Sequence, residues 1–296
     1  MHSVYDGSVW RPPSEAQSLI IQASIGCSHN QCAFCISYKG KRYRIRSLDE
    51  FEKHVDAVRA TYPFPVRRIF LADGNALSIP TATLQQMVAI LKQRIPTVER
   101  IGIYAYATDC LDKSVEDLKS LRKAGINMAY VGIESGDDNI LSRMSKGVTN
   151  AENIEACLKL RQAGIKLSAI IILGLGGTSL SKQHARATAE TINSIKPEYL
   201  GALTLMLPEG TRIHKEFLAG DFSPLNPVET LIELKELLTG LNQLKGTIFR
   251  TNHASNYLPI RGKLSEDRSK LLTLLEETLA QPDLQQSLKP EIARGL

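Results

Sequence analysis

The segment SLIIQASIGCSHNQCAFC, residues 18–35, carries an apolar run directly into a loop with three cysteines. Cys27, Cys32 and Cys35 have the spacing C-x4-C-x2-C and are three of the 5 cysteines in the chain. Thiolates bind iron–sulfur clusters, which usually take four protein ligands, and they also bind zinc. His29 is poorly placed to complete a four-ligand zinc site, because it lies only two positions after Cys27. The loop is therefore either a damaged four-ligand metal site or a site that is one ligand short, such as a cluster with one iron open to a small molecule.

The composition is that of an ordinary globular protein, with 43% hydrophobic and 23% charged residues. A net charge of +5 is too small for a dedicated nucleic-acid binder, which argues against nucleic acid as the partner. The first 15 residues are polar, so we expect no signal peptide, and the longest apolar run, residues 167–177, is too short for a membrane span. We therefore expect a cytoplasmic protein with no membrane association. In that reducing location, clustered cysteines indicate metal binding or catalysis rather than disulfides.

Short apolar runs alternate with helical stretches along two thirds of the chain. Runs that are apolar on both faces are typical of strands buried in a parallel sheet. Six such units predict an α/β fold, either an open doubly wound sheet or a partial or full barrel. Ser47 and Asn150 are the predicted N-caps of two of the helices. The six predicted strands lie within residues 18–26, 67–74, 99–108, 127–135, 165–177 and 198–210.

The unusual residues follow the carboxyl ends of these predicted strands. Cys27 follows the first strand, residues 73–75 (Asp-Gly-Asn) follow the second, Glu134 ends the fourth, and Gly174–Gly177 end the fifth. In parallel α/β folds, ligands bind at the carboxyl ends of the strands. This pattern predicts one shared site.

A strand, a three-cysteine loop with an aromatic residue (Phe34) before the last cysteine, and repeated βα units resemble the radical S-adenosylmethionine (radical SAM) superfamily, in its HemN/Elp3-like branch. The resemblance implies that Cys27, Cys32 and Cys35 hold a [4Fe–4S] cluster. It also implies that S-adenosylmethionine chelates the fourth iron and is cleaved on reduction to a 5′-deoxyadenosyl radical that abstracts hydrogen. The usual spacing is C-x3-C-x2-C; the extra residue here lengthens the loop but keeps the ligand set.

The resemblance covers residues 18–210 and implies a partial (β/α)6 TIM-like barrel of the radical SAM type, with a C-terminal extension of helices and loops. Asp73, Gly74 and Asn75 occupy the position of the Gly-Gly-Glu-like segment that receives the methionyl amino group. Asp73 is the candidate carboxylate, because the family's glutamate is absent. The alternative is a plain strand-ending turn, for which Asp-Gly-Asn is also well suited.

The segment GIESG, residues 132–136, is the more specific match. The resemblance implies that Glu134 hydrogen-bonds the ribose and that Lys146 contacts the methionyl carboxylate. Residues Ile172, Leu173 and Gly174 would supply an apolar wall and donors for the adenine. For Lys146 the alternative is a solvated lysine at a helix end.

Residues 1–17 form a predicted N-terminal extension, and residues 211–296 form a C-terminal extension that closes the barrel. The polar stretch RTNHASNYLPIRGKL, residues 250–264, lies in this second extension. We expect it to contact substrate, with His253 or Tyr257 as the proton or hydrogen donor. The alternative is a loop whose side chains satisfy one another.

The sequence therefore predicts a radical SAM enzyme acting on an unidentified small or macromolecular substrate, with an electron donor such as flavodoxin or ferredoxin. The alternative is a non-catalytic iron–sulfur or zinc carrier, which would need neither Glu134 nor Lys146. An aldolase-like barrel would place a Schiff-base lysine at a strand end, and none of the six strands has one. The basic segment 39–46 follows the cysteines and is either a contact for an anionic substrate or a solvated loop. Methyl transfer, decarboxylation, epimerisation and ring chemistry all remain open.

Overall fold

The computed structural model describes residues 4–62, 64–284 and 288–295. Its strands are β1 (Leu19–Gln22), β2 (Ser24–Ile25), β3 (Arg44–Ile45), β4 (Arg68–Ala72), β5 (Arg100–Ala105), β6 (Ile126–Glu134), β7 (Lys166–Leu173), β8 (Tyr199–Thr204), β9 (Ile248–Arg250) and β10 (Arg261–Lys263). Its helices are α1 (Leu48–Thr61), α2 (Thr81–Arg94), α3 (Ala107–Leu111), α4 (Val115–Ala124), α5 (Asp138–Arg143), α6 (Asn150–Gln162), α7 (Gly177–Ile195), α8 (Arg212–Ala219), α9 (Pro227–Gly240) and α10 (Leu264–Leu279).

Eight strands form one mostly parallel sheet in the order β1-β4-β5-β6-β7-β8-β9-β10. Each of the six predicted strands lies beside its neighbour in the chain, and helices connect them, so the predicted α/β fold of the partial-barrel type is confirmed. The sheet also extends beyond these six strands. β9 joins β8 in parallel and β10 joins β9 antiparallel, so part of the predicted C-terminal extension belongs to the sheet.

The strands form where apolar residues occupy both faces of the extended chain. β6 has seven buried residues among its nine, and β7 has six among its eight. Such strands are stable only when neighbouring strands pair their backbone and helices cover their faces. This is why runs without a clean polar and apolar alternation were correctly predicted as strands.

Two helix starts show how local side chains set the boundaries. Ser47 caps α1 as predicted, in a reciprocal capping box with Glu50. The cap predicted at Asn150 is wrong by one residue. The Thr149 hydroxyl accepts a hydrogen bond from the Glu152 amide, and the Thr149 amide donates one to the Glu152 carboxylate. Asn150 is already helical, and its side-chain oxygen accepts from the Thr191 hydroxyl.

The chain divides into two compact units that interleave in sequence. The first contains the chain up to Asn30, with Ser37–Val131 and Glu155–Leu167, and its core includes Ile21, Phe70 and Ile103. The second contains Gln31–Ile36, Gly132–Ile154 and the chain from Ser168 onwards. Its core includes one apolar cluster, formed by Ala33, Ile140, Met144, Ile172, Leu175, Leu205, Ile213 and Phe222.

The N-terminal segment is held in the first unit by a buried carboxylate. Glu15 is fully buried and accepts hydrogen bonds from Arg100 (2.6 Å), from the Tyr130 hydroxyl and from Ser18. Gly102 leaves room for this group, because a Cβ there would lie 3.1 Å from Glu15 Oε1. The predicted extension of residues 1–17 is therefore packed against β5 and β6 at this point.

Candidate active site

The three-cysteine loop lies between two short paired strands. β2 and β3 pair antiparallel, Ser24 with Ile45 and Ile25 with Arg44, on either side of the loop in sequence. Cys27, Cys32 and Cys35 form no disulfide and are half-buried. Cys110 and Cys157 form no disulfide either but are fully buried, and burial raises the pKa of the Cys157 thiol to about 12. The loop cysteines are thus the accessible thiols among the residues that the structure describes.

Asp73 directly follows β4 and holds the start of the cysteine loop. Its Oδ2 accepts hydrogen bonds from Gln22 Nε2 (3.0 Å), from the Gly26 amide (3.1 Å) and from Lys41 Nζ (2.8 Å). Its Oδ1 is buried and has no hydrogen-bond partner in the described part of the chain. A buried carboxylate oxygen without a donor is costly, so Oδ1 is a ready acceptor for a bound group.

Gly74 lets the same turn touch the loop directly. A Cβ at Gly74 would lie 2.6 Å from Cys27 Cα, and its φ of +23° is also one that L side chains rarely adopt. Asn75 completes the contact with its amide group. Its Oδ1 accepts from the Ser28 amide at 3.0 Å, and its Nδ2 donates to the Ser28 hydroxyl at 2.7 Å. The turn of residues 73–75 therefore binds the backbone on both sides of Cys27.

Asp109 belongs to this group, and our sequence analysis missed it. Both of its oxygens accept from Asn75 Nδ2 at 2.9 Å, and it also accepts from the Tyr106 amide. Burial raises the pKa of Asp109 to about 7, against the opposing effect of these donors. The available signal was its position, four residues beyond Ala105 at the end of β5, the same edge that carries Asp73.

Glu134 and Lys146 form a buried ion pair, with Lys146 Nζ 3.1 Å from Glu134 Oε1. Glu134 has a φ of +64°, a left-handed conformation that costs a non-glycine residue about 1 kcal/mol or more. Its Oε2 is buried without a hydrogen-bond partner among the described residues. A Cβ at Gly132 would collide with the Glu134 carboxylate, so a larger residue there would displace that side chain. Two predicted cofactor contacts are thus brought together, with one carboxylate oxygen left to accept.

The predicted adenine segment ends β7 and is buried at Ile172 and Leu173. Gly174 turns the chain out of the strand with a φ of +81°. Its amide donates a hydrogen bond to Glu233 Oε1 at 2.6 Å. The donor that we had expected to bind the adenine is therefore already paired within the protein. Burial raises the pKa of Glu233, and the nearby His184 opposes that rise. Glu233 and His184 carried no recognisable sequence signal, because both look like ordinary helix residues.

Phe34, the aromatic residue before the last cysteine, packs against the apolar cluster of the second unit. Ala33 beside it donates its amide to the Met144 carbonyl at 2.9 Å and accepts from the Ile213 amide at 3.1 Å. The second half of the cysteine loop is therefore held by backbone hydrogen bonds and apolar contact within that unit.

The polar stretch of the C-terminal region packs at the carboxyl end of β8. The Ser255 hydroxyl accepts from the Thr204 amide, and Asn256 bonds both Thr204 Oγ1 and the Ala202 carbonyl. His253 Nδ1 lies 2.9 Å from Ser255 Oγ, and burial lowers the pKa of His253.

Tyr257 is buried and bonds two charged groups. Its hydroxyl donates to Glu291 at 2.7 Å and accepts from Arg294 at 2.5 Å. Burial raises the pKa of this phenol, and the bond to Glu291 raises it further. Apart from the His253–Ser255 bond, these contacts are with residues outside the stretch, and the donor roles of His253 and Tyr257 stay predictions.

The predicted residues thus form separate contact groups. Asp73, Gly74 and Asn75 contact the loop around Cys27, whereas Glu134 contacts Lys146 and Gly174 contacts Glu233. Across residues 4–62, 64–284 and 288–295, no three His, Cys, Asp or Glu side chains converge as a single-ion site requires. The thiolates of a [4Fe–4S] cluster bind different irons, so that arrangement does not need such convergence.

The described chain combines a mostly parallel α/β sheet of the partial-barrel type with a three-cysteine loop that follows the first strand. The family model described as "Radical SAM superfamily" matches residues 21–188, more than half of the chain. The chain belongs to the radical SAM superfamily, as the sequence predicted. The cofactors of the superfamily are a [4Fe–4S] cluster and S-adenosylmethionine.

Individual relatives are distant. The chain is 27% identical over 206 residues to 4′-phospho-dehydrooxetanocin synthase of Priestia megaterium, covering 63% of this chain and 28% of that protein. It is 22% identical over 228 residues to the heme chaperone HemW of Bacillus subtilis, covering 74% of this chain and 58% of HemW. HemW similarity agrees with the predicted HemN/Elp3-like branch. The chain spans less than two thirds of the length of either protein.

Among solved structures, methylornithine synthase (PylB) superposes with a TM-score of 0.54 at 17% sequence identity, covering 92% of this chain and 85% of that chain. This likeness shows a common fold over nearly the whole described chain. Within the described residues, no helix combines the length and the apolar character that a membrane crossing requires.

Proposed function

We propose that this protein is a radical SAM enzyme that uses Cys27, Cys32 and Cys35 to hold a [4Fe–4S] cluster and abstracts hydrogen from a substrate still to be identified. The observation that carries the proposal is the family match over residues 21–188, which contains the three half-buried cysteines of the loop. When bound and reduced, the cluster supplies the electron that cleaves S-adenosylmethionine to methionine and a 5′-deoxyadenosyl radical.

The residues that are present fit these cofactors. Three thiols match the cluster ligand set, and Gly74 provides the close approach between the β4 turn and the loop. Asp73 Oδ1 and Glu134 Oε2 are buried acceptors without donors in the described chain. Acceptors of this kind suit an amino group and ribose hydroxyls respectively, which are donors that S-adenosylmethionine carries.

Each group has a task in this proposal. Asp73 and Asn75 orient the backbone around Cys27, and Asp73 Oδ1 receives the methionyl amino group. Lys146 neutralises the methionyl carboxylate, and Glu134 accepts from the ribose. Ile172 and Leu173 form the apolar wall that keeps water away from the adenine.

His253 is the proposed proton or hydrogen donor to the substrate. The Tyr257 hydroxyl already bonds two charged groups, Glu291 and Arg294, whereas His253 bonds Ser255 through Nδ1. An external one-electron donor such as flavodoxin or ferredoxin completes the proposal. The non-catalytic carrier is not favoured by the family match, although HemW is named as a heme chaperone.

The test is anaerobic. The protein is reconstituted with iron and sulfide and reduced with dithionite in the presence of S-adenosylmethionine, and 5′-deoxyadenosine is quantified. We expect the product from the wild type, and none from Cys32→Ala, because the cluster loses one of its three ligands. Cys157→Ala is the matched control, since Cys157 is buried in a helix, and it should retain the product. Zinc in place of iron, or a stable cluster that binds no S-adenosylmethionine, would favour the carrier.

A further inference from the structure

A buried histidine joins the ends of two neighbouring strands, β6 and β7. His184 on α7 is only 1% exposed. Its Nε2 lies 2.9 Å from the Ile172 carbonyl, and its Nδ1 lies 2.8 Å from the Ser135 hydroxyl. Because a carbonyl can only accept, Nε2 carries a proton and donates to it, while Nδ1 and the Ser135 hydroxyl share the second hydrogen bond. One side chain therefore ties the residue after Glu134 to the residue before Leu173.

A buried glutamate holds the turn that follows β7. Glu233 on α9 is 1% exposed; its Oε1 accepts from the Gly174 amide and its Oε2 accepts from the Ser181 hydroxyl, both at 2.6 Å. Glu233 Oε1 also lies 3.8 Å from His184 Nε2. Burying a carboxylate is costly unless its oxygens accept hydrogen bonds. The Glu233 carboxylate accepts one of these bonds from the turn after β7, at the Gly174 amide.

The hydrogen bonds of His184 and Glu233 lie just where β6 and β7 leave the sheet. β6 ends at Glu134 and β7 ends at Leu173, so beyond these residues no ladder hydrogen bonds fix the separation of the two segments. Glu134 and Gly174 both have positive φ, and each turns its chain away from the strand direction. Without other bonds, the two ends would move independently.

We propose that Ser135, His184 and Glu233 form a positioning bracket that fixes the ends of β6 and β7 for S-adenosylmethionine. The inference rests on the proposed function, which assigns Glu134 to the ribose and residues 172–173 to the adenine. A nucleoside that contacts both strand ends binds tightly only when their spacing is set in advance. The bracket touches the protein segments rather than the ligand, so its members are positioning residues and not catalytic ones.

The test measures the dissociation constant for S-adenosylmethionine by equilibrium dialysis on the cluster-loaded, oxidised protein, in which no cleavage occurs. His184→Leu and Glu233→Leu should each raise that constant by about tenfold or more, the usual effect of losing a supporting hydrogen-bond shell. His184→Gln and Glu233→Gln keep an acceptor and a donor in place and should stay within about threefold of the wild type. Iron content should be unchanged in all four variants.

The matched control is Thr278→Val, also buried on a helix, whose hydroxyl bonds the Leu274 carbonyl within α10 rather than the strand ends. It should bind like the wild type; an equal loss of affinity would mean general destabilisation and would overturn the bracket. Wild-type affinity in both leucine variants would overturn it as well. If His184→Leu does not fold, Ser135→Ala decides; it removes the hydroxyl that bonds both His184 and the Asp137 amide, so about a fivefold rise supports the bracket and no change refutes it. A wild type that binds no S-adenosylmethionine would instead refute the proposed function.

Discussion

Gly74 shows how one missing side chain shapes the cluster loop. A Cβ at this position would lie 2.6 Å from Cys27 Cα and 2.7 Å from Cys27 Cβ, distances that real Cβ atoms do not show. The backbone of Cys27 cannot move away freely, because Asp73 and Asn75 bind the amides on either side of it. Glycine is therefore required by contact as well as by its backbone conformation.

We predict that Gly74→Ala displaces the loop, lowers iron incorporation on reconstitution by at least about half and costs about 1–3 kcal/mol of stability, the usual range for overpacking. Iron analysis and urea unfolding measure the two effects. Gly40→Ala is the control in the same region, because a Cβ at Gly40 would meet nothing within 4 Å. Equal iron content in the two variants would show that close packing at Gly74 is not needed.

The end of β6 and the link between α5 and α6 are joined by the Glu134–Lys146 pair. Ser145 and Gly147, on either side of Lys146, both have positive φ, so the link makes a tight turn at the lysine. Arg212 steadies this turn through the Ser145 hydroxyl at 3.1 Å. The pair is largely shielded from water, so its attraction is screened less than that of a surface pair.

We predict that Glu134→Gln and Lys146→Met each destabilise the protein by about 3 kcal/mol, since each leaves a buried charge without its opposite. The double variant should lose less than the sum, with a coupling of about 1–3 kcal/mol in urea unfolding without ligand. The exposed pair Glu116–Lys119, 3.8 Å apart, is the control and should show almost no coupling. Additive losses at Glu134 and Lys146 would contradict an energetically coupled pair.

Segments far apart in the sequence are held together near the C-terminus by Arg294. Its side chain is only 3% exposed. The guanidinium donates to the Ser255 carbonyl at 2.6 Å and the Leu205 carbonyl at 2.8 Å, and it lies 4.2 Å from the Tyr257 ring centre. The last described segment, residues 288–295, thereby holds the predicted substrate loop against the end of β8.

We predict that Arg294→Met lowers the free energy of unfolding by about 2–4 kcal/mol, because several charge-assisted hydrogen bonds are lost together. Amide hydrogen exchange at residues 253–257 should become faster, while exchange in β4 and β5 should not change. Arg261→Met is the control, because Arg261 is exposed, and it should change stability by less than about 0.5 kcal/mol. Unchanged exchange at 253–257 would show that the loop is held without Arg294.

Short stretches of sequence were enough to predict the strands and helices and the class of chemistry. β6 and β7 were readable because long apolar runs have few other stable states than a buried strand. The C-x4-C-x2-C loop and the GIESG segment were readable because their chemistry lies within a few consecutive residues. Thr149 was missed as a cap because two neighbouring residues, Thr149 and Asn150, both suit that position.

The sequence by itself determined the α/β order of the strands, the three candidate cluster ligands and the superfamily, because each depends on residues close together in the chain. Only the tertiary structure decided which groups satisfy one another: Glu233 reaches Gly174 across 59 positions, His184 reaches Ser135 across 49, and Asp109 reaches Asn75 across 34. A buried carboxylate or imidazole accepts whichever donor the fold brings within about 3 Å. That choice is made by packing, which no short stretch of sequence records.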